Sequence, residues 1–152
     1  RMVLVHTVSH LLIRQLCYEC GYHAASLRER LYVFPDRAGV LIYTADGDSE
    51  GSLGGLVRQG RQTRFYSTLM SALRRSEWCS NDPICMEMPK HGPKRTNLAA
   101  CHACAMVAET SCTELNGLLD RGLVIGEHDC SGDPSTGLLG YFRDLLDLHP
   151  TT

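Results

Sequence analysis

Apolar positions recur at helical spacing in two long segments of the chain. Between residues 2 and 20 they fall at steps of three and four, which predicts an amphipathic helix that ends at Gly21, a typical C-cap. Its apolar stripe consists of Leu4, Val8, Leu11, Leu12 and Leu16. Residues 52–78 predict a second long helix. The buried side expected for it consists of Leu56, Thr63, Tyr66, Leu69, Met70 and Leu73.

Two short runs between these helices are rich in branched and aromatic residues, which favour β-strands. Residues 31–34 and 39–44 are separated by the turn sequence Pro35–Ala38, so they predict a hairpin preceded by a helical turn at 26–30. The second run is apolar almost throughout, which predicts a central strand covered on both faces.

The C-terminal part predicts shorter elements. Ser111 and Glu114 have the spacing of a capping box, so a helix is expected from residue 111 to Arg121, with Gly122 ending it. Residues 123–125 predict a short strand and 127–137 a polar loop. A last amphipathic helix over 138–148 is expected to turn four side chains inward: Leu139, Phe142, Leu145 and Leu146.

A glycine-rich, acidic stretch spans Asp46–Gly55. Its spacing matches neither G-x-G-x-x-G nor the P-loop, and its carboxylates would repel phosphate. We interpret it as a tight loop between strand and helix. The fold class predicted overall is α+β (mixed), a small central hairpin packed by helices, with a cysteine-rich loop region.

Composition places the chain among single globular domains. It has 152 residues, of which 43% are hydrophobic and 21% charged. No run of eighteen apolar residues exists and the start does not resemble a signal peptide, so we expect no membrane span and a reducing, cytoplasmic location. Because residue 1 is Arg rather than Met, residues 1–152 are expected to be one domain of a longer polypeptide or a stand-alone relative.

The formal net charge of −2 does not by itself indicate a nucleic-acid-binding protein. Basic residues nevertheless cluster in two segments and make phosphate contact a hypothesis, against the alternative of ordinary solvated faces. The candidate DNA-binding residues are Arg58, Arg61, Arg64, Lys90, Lys94 and Arg95.

Five of the eight cysteines lie between residues 79 and 112. Cys101 and Cys104 form a C-x-x-C motif, with Cys79 and Cys85 upstream and Cys112 downstream. One turn of C-x-x-C supplies two ligands to a tetrahedral zinc ion. The same motif also serves thiol redox chemistry, and cysteines also pack as small apolar residues, so both alternatives remain beside zinc.

Other candidate residues have weaker signals. His6 and His10 share a helix face at i and i+4, but the segment lacks the glutamate of H-E-x-x-H. We interpret them as hydrogen-bonded residues at the edge of a core. Cys17 and Cys20 form a second C-x-x-C inside a helical pattern and are expected to pack. No motif argues for catalysis, so the chain is expected not to be an enzyme.

The spacing C-x-x-C-x7-C-x3-N from Cys101 to Asn116, continued by Leu119-Asp-Arg121, resembles the zinc-binding domain of MrfA-type helicases. Three further segments are most similar to the DrmB subgroup, helicase-associated proteins of the DISARM anti-phage system: His6–Arg14, Ala25–Tyr32 and Glu109–Cys112. The resemblance covers residues 2 to about 125.

The resemblance implies Zn²⁺ as the cofactor and a helicase subunit (DrmA-like) and DNA as partners. It implies a four-cysteine site that includes Cys101, Cys104 and Cys112. We expect Cys85 as the fourth ligand, because it lies nearer the others, with Cys79 as the alternative.

The resulting hypothesis is a non-catalytic, zinc-stabilised module of a DrmB-like defence protein. It would associate with a helicase partner, form the C-terminal part of a longer chain, and contribute to DNA engagement. The alternatives are a protein-interaction module without DNA contact and a C-x-x-C thiol oxidoreductase.

Overall fold

The computed structural model of the protein describes residues 1–44, 54–87, 90, 92–126 and 139–149. Most of the stretch 46–55, the polar loop 127–137 and Cys130 lie outside these residues. Within the described part, six helices accompany a two-stranded antiparallel sheet, and this mixed architecture confirms the predicted fold class. The helices are α1 (Met2–Cys20), α2 (Gly54–Gln59), α3 (Gln62–Ser76), α4 (Ile84–Glu87), α5 (Gly122–Ile125) and α6 (Arg143–Leu148), and the strands are β1 (Leu27–Val33) and β2 (Ala38–Thr44).

Helix α1 lies at the centre of the fold. It contacts α3, both strands and α5, and the middle of its sequence, from His6 to Leu16, is almost entirely buried. It ends as predicted: Gly21 adopts a left-handed φ of 74° and donates its N–H to the carbonyl of Cys17. The predicted bounds of this helix are confirmed.

The hairpin pairs β1 with β2 from Leu27 opposite Thr44 to Val33 opposite Ala38. A 3₁₀ turn at Ala24–Ser26 precedes it, so the expected helical turn at 26–30 is wrong and β1 begins earlier. Leu27 and Glu29 face the core, whereas the opposite face of the sheet is exposed. The prediction that β2 is covered on both faces is therefore wrong within the described residues.

The long helix expected over 52–78 is two helices. Helix α2 ends at Gln59 and α3 begins at Gln62, because Gly60 disfavours helix and Arg61 has extended backbone angles (φ −70°, ψ 137°). Helix α3 buries Met70 and Leu73 as predicted. Thr63 and Tyr66 are exposed instead, since they belong to the outer face of the restarted helix.

Residues 112–121 are not the helix that the capping box predicts. Leu115, Asn116 and Leu118 all have positive φ, which a right-handed helix does not accommodate. The expected strand at 123–125 is instead the short helix α5. Helix α6 is shorter than the predicted 138–148, and Leu139 is 83% exposed rather than inward, while Leu146 is buried.

No described helix has both the length and the apolar character needed to cross a bilayer.

Candidate metal centre

Four cysteines from three separate segments converge at one end of α3. Cys79 follows that helix, Cys85 lies in α4, and Cys101 and Cys104 bracket a turn. Their Sγ atoms all lie within 4.8 Å of one another. Cys101 is half-buried and the other three are buried, so the group is nearly closed to solvent.

The sulfur separations fit a tetrahedral metal site. The Sγ atoms are 3.5 Å apart for Cys79–Cys101, 3.7 Å for Cys85–Cys104 and 3.8 Å for Cys101–Cys104. Zinc–sulfur bonds of about 2.3 Å at tetrahedral angles require sulfur separations of about 3.8 Å. These three separations are within about 0.3 Å of that value, and the other sulfur pairs are within 4.8 Å, so the group is compatible with a single tetrahedral ion.

Backbone and amide N–H groups point at the sulfurs. Cys101 N–H donates to Cys104 Sγ at 3.3 Å, and the Asn81 backbone N–H donates to Cys79 Sγ at 3.4 Å. The Asn81 side chain donates to Cys101 Sγ at 3.4 Å. Such hydrogen bonds favour thiolate over thiol and orient the sulfurs toward the centre of the group.

A buried arginine, Arg121, is linked to the four-cysteine group through Asp82. Arg121 is fully buried, donates to the Ser76 carbonyl at 2.9 Å and forms an ion pair with Asp82 at 2.5 Å. Asp82 in turn accepts the N–H of Cys79 at 2.9 Å. Burial opposes the charge of Arg121, but the hydrogen bond to Asp82 and the field of Cys104 outweigh it and raise its pKa.

The thiols of the four-cysteine group differ in pKa. The hydrogen bond with Cys85 lowers the pKa of Cys104 to about 5, and the same bond raises the pKa of Cys85. Burial raises the pKa of Cys79 to about 11. Because metal ligands must be thiolates, binding of an ion would displace the protons of Cys85 and Cys79.

Cys112 lies in a different place from the one expected. The structure brings Cys85, Cys101 and Cys104 together, but the fourth member of their group is Cys79. Cys112 follows a 3₁₀ turn (Glu109–Ser111) whose Ser111 hydroxyl bonds the Ala24 carbonyl at 2.5 Å. This contact carries the chain to the hairpin, away from the C-x-x-C turn.

Cys112 instead joins a second polar group with His6, His10 and Glu29, whose ligand atoms again all lie within 4.8 Å. Glu29 Oε1 is 3.0 Å from His6 Nε2 and 3.3 Å from His10 Nε2, and Cys112 Sγ is 3.2 Å from His6 Nε2. His10 Nδ1 contacts the Ala105 carbonyl at 3.0 Å. Both histidines make hydrogen-bond contacts, as predicted, but they are fully buried rather than at the edge of a core.

Charges in this second group depend on one another. Burial lowers the pKa of His6, but hydrogen bonds with Cys112 and Glu29 outweigh it and bring the pKa to about 9. Burial raises the pKa of Cys112, yet its hydrogen bonds with His10 and His6 bring it to about 7. The pKa of Glu29 is lowered because contacts with both histidines outweigh its burial.

The family described as the MrfA Zn-binding domain matches residues 8–105, a range that contains all four clustered cysteines. The chain belongs to the MrfA Zn-binding domain family. It is a zinc-binding domain, and its four-cysteine group is positioned to hold the ion. His6 and Cys112 lie outside the matched range.

The zinc-binding domain is also similar to the DISARM protein DrmB of Bacillus paralicheniformis. The two are 42% identical over 144 residues, which is 95% of this chain and 25% of the relative. The chain thus spans about a quarter of the length of that protein.

The predicted DNA-binding residues of the zinc-binding domain are all exposed. Arg58 lies in the last turn of α2, Arg61 precedes α3 and Arg64 lies in the first turn of α3. They therefore do not form the stripe that one continuous helix would give. Lys94 and Arg95 lie in a turn with φ of 55° and 56°, and Lys90 precedes it.

Cys17 and Cys20 pack against an apolar cluster, as predicted. The residue that sequence reasoning missed is Glu29. Glu29 belongs to β1 rather than to the expected helical turn. Had a strand been predicted from Leu27, its alternation would have placed Glu29 on the buried face with Leu27.

Proposed function

We propose that this zinc-binding domain is an accessory module of a DrmB-like anti-phage defence protein. In this proposal it associates with a DrmA-like helicase subunit and contributes to DNA engagement without catalysing a reaction. Family membership supports the zinc module, and one surface, the exposed basic segment at residues 57–66, carries the proposal of DNA contact. The cytoplasm is the proposed location, because thiolate zinc ligands persist where thiols stay reduced.

The zinc ligands proposed are Cys79, Cys85, Cys101 and Cys104. Four thiolates leave no open position for water or substrate, so the ion has a structural role rather than a catalytic one. It would connect the end of α3 and helix α4 to the C-x-x-C turn, and would hold α3, which carries Arg64, in a fixed orientation relative to the rest of the domain.

The basic segment has the composition of a phosphate-binding surface. Residues 57–66 contain three arginines and no carboxylate. Helix α3 has no acidic residue in its first turn and no side-chain cap, so its N-terminal N–H groups are available to an anion beside Arg61 and Arg64. Lys90, Lys94 and Arg95 are the second proposed contact segment.

Exposed apolar side chains accompany these arginines. Val57 is 73% exposed and Phe65 45% exposed. Aromatic rings beside basic groups stack on unpaired bases, whereas a purely basic surface contacts only the backbone. We therefore propose that single-stranded DNA, the form a helicase generates, binds this segment more tightly than duplex.

The second candidate function is a protein-interaction module without DNA contact. The outer face of the hairpin favours it: Tyr32, Leu41 and Tyr43 are 41%, 50% and 39% exposed on one side of the sheet. The third candidate, a thiol oxidoreductase, is least favoured. Cys101 and Cys104 do not stand alone as a redox pair, because each faces a further cysteine.

The DNA proposal predicts a salt-dependent affinity that depends on Arg58, Arg61 and Arg64. Changing all three to Gln should make the negative slope of log K against log salt shallower by about 2 for single strands, since each lost phosphate contact removes about 0.7 from its magnitude. Fluorescence anisotropy of labelled oligonucleotides over a salt series measures this slope.

Arg37 in the hairpin turn is the matched control, because it is equally charged and 77% exposed but lies outside the segment. Arg37→Gln should leave the slope unchanged. Equal slopes for the triple variant and the wild type would contradict DNA contact here. Loss of helicase-subunit binding on changing Tyr32 and Tyr43, with no DNA binding at all, would favour the interaction module.

A further inference from the structure

The group formed by His6, His10, Glu29 and Cys112 has no role in the four-cysteine centre. It draws its members from α1, from β1 and from the loop after the 3₁₀ turn Glu109–Ser111. His6, His10 and Glu29 are 0–1% exposed and Cys112 is 5% exposed. Four ionisable side chains this deeply buried require either exact proton sharing or a bound cation.

We infer that these four residues form a second, closed metal site with the ligand set His₂GluCys, suited to zinc. Imidazole and thiolate are ligands that zinc prefers, whereas magnesium and calcium take oxygen. His6 and His10, at i and i+4 on α1, present both Nε2 atoms to the same oxygen of Glu29.

The separations suit zinc with little movement. Bonds of about 2.0–2.1 Å to nitrogen and oxygen and about 2.3 Å to sulfur place tetrahedral ligand atoms about 3.3–3.6 Å apart. The observed distances are 3.0 and 3.3 Å from Glu29 to the imidazoles and 3.2 Å from Cys112 to His6. Glu29 and Cys112 would each need to withdraw from His6 by a few tenths of an ångström.

The hydrogen bond of His10 fixes the direction of its lone pair. The Ala105 carbonyl can only accept, so the Nδ1 atom of His10 that contacts it carries the proton. Neutral His10 therefore points the bare lone pair of Nε2 at a carboxylate oxygen 3.3 Å away. Two acceptors at this distance repel unless a proton or a metal ion lies between them.

The other ligands differ in the hydrogen bonds that support them. Asn116 N–H donates to Cys112 Sγ at 3.3 Å, as N–H groups do in the four-cysteine centre. His6 Nδ1 has no hydrogen-bond partner among the described residues. Because a partner on the second nitrogen strengthens a histidine ligand, His10 is the stronger imidazole ligand and His6 the weaker.

The second site would act as a fastener. It joins the middle of α1 to β1 and to the loop that carries Asn116, whereas the four-cysteine centre joins the end of α3 to the C-x-x-C turn. Zinc content per chain tests this. Cys112→Ala should lose one equivalent, Cys85→Ala one equivalent, and the double variant two.

Cys17→Ala removes a thiol outside both groups and should lose none. A cobalt spectrum of the unmodified protein is a second test, and it does not depend on whether any variant folds. A second site should add the bands of a tetrahedral cobalt ion with one thiolate and two imidazole ligands to the spectrum of the four-thiolate site. The variant Cys112→His should keep the second cobalt ion but lose the sulfur-to-cobalt charge-transfer band of that site. Zinc content unchanged in Cys112→Ala, with a purely four-thiolate cobalt spectrum, would overturn the second site and leave the first intact.

Discussion

Arg121 links the end of α3 to the segment that follows it, because its buried side chain contacts both. Its guanidinium is fully buried and contacts Ser76 and Asp82. A zinc ion with four thiolates carries a net charge of −2, so a fixed cation nearby offsets part of it. The sequence showed Arg121 only as part of a resembling motif. Its burial depends on α5 folding back onto the end of α3.

Replacing Arg121 by Met should destabilise the domain by about 2–3 kcal/mol, because it leaves the buried Ser76 carbonyl and the partly buried Asp82 carboxylate without their partner. Arg143→Met is the control. Arg143 also pairs with carboxylates, but its side chain is 37% exposed, and such pairs contribute about 0–1 kcal/mol. Urea denaturation of the two variants measures the difference, and equal losses would show that Arg121 has no special role.

The ligands differ in how well local sequence could identify them. Cys101 and Cys104 follow from spacing alone, because one turn places both sulfurs on one ion. The choice between Cys79 and Cys112 depends on where distant segments dock. Cys112 is nearer to the motif in sequence, but the bond from Ser111 to Ala24 draws it to the hairpin.

Among the elements, segment 112–121 is held by hydrogen bonds from side chains to backbone rather than by the hydrogen bonds of a helix. Asn116 donates to the carbonyl of Val107 and accepts its N–H, both at 2.9 Å. The Asn97 side chain accepts the N–H of Leu119 at 3.0 Å and donates to the carbonyl of Asn116 at 2.8 Å. These amides satisfy buried backbone groups, and asparagine tolerates the left-handed conformation, so the capping signal at Ser111 and Glu114 is overridden by tertiary contacts.

Asn116→Ala should cost about 2–4 kcal/mol, since it leaves two backbone groups of Val107 buried and unpaired. Glu114→Ala distinguishes the two accounts of this segment. A capping box would lose about 1 kcal/mol, whereas the observed exposed Glu114 should change stability by less than about 0.5 kcal/mol. Thermal unfolding monitored by circular dichroism compares them, and the reverse order of losses would contradict the observed segment.

Periodicity predicted the elements that bury one continuous stripe. Helix α1 has its stripe and its glycine cap within its own sequence, so its bounds were predictable. The break near Gly60 was not, because apolar spacing continues across it. The single covered face of β2 could not be predicted either, since it depends on how many elements pack on the hairpin.

At the scale of the whole molecule, short elements need fastening. Helices α4 and α5 have four residues each and α6 has six, too few to be stable alone. The four-cysteine group connects α4 to the end of α3, and the second group connects α1 to the hairpin and the 112–121 loop. Cys79, Cys85 and Cys104 lie in one buried apolar cluster and Cys112 lies in another, so the two proposed metal sites would fasten the domain at two points.

We propose that Cys79, rather than Cys112, completes the zinc site of the C-x-x-C turn. Zinc analysis of Cys79→Ser tests it most directly, with Cys20→Ser as a control from the other C-x-x-C motif. The account predicts that Cys79→Ser loses one zinc per chain and unfolds at a lower temperature, while Cys20→Ser keeps the wild-type zinc content. Wild-type zinc content in Cys79→Ser would contradict it.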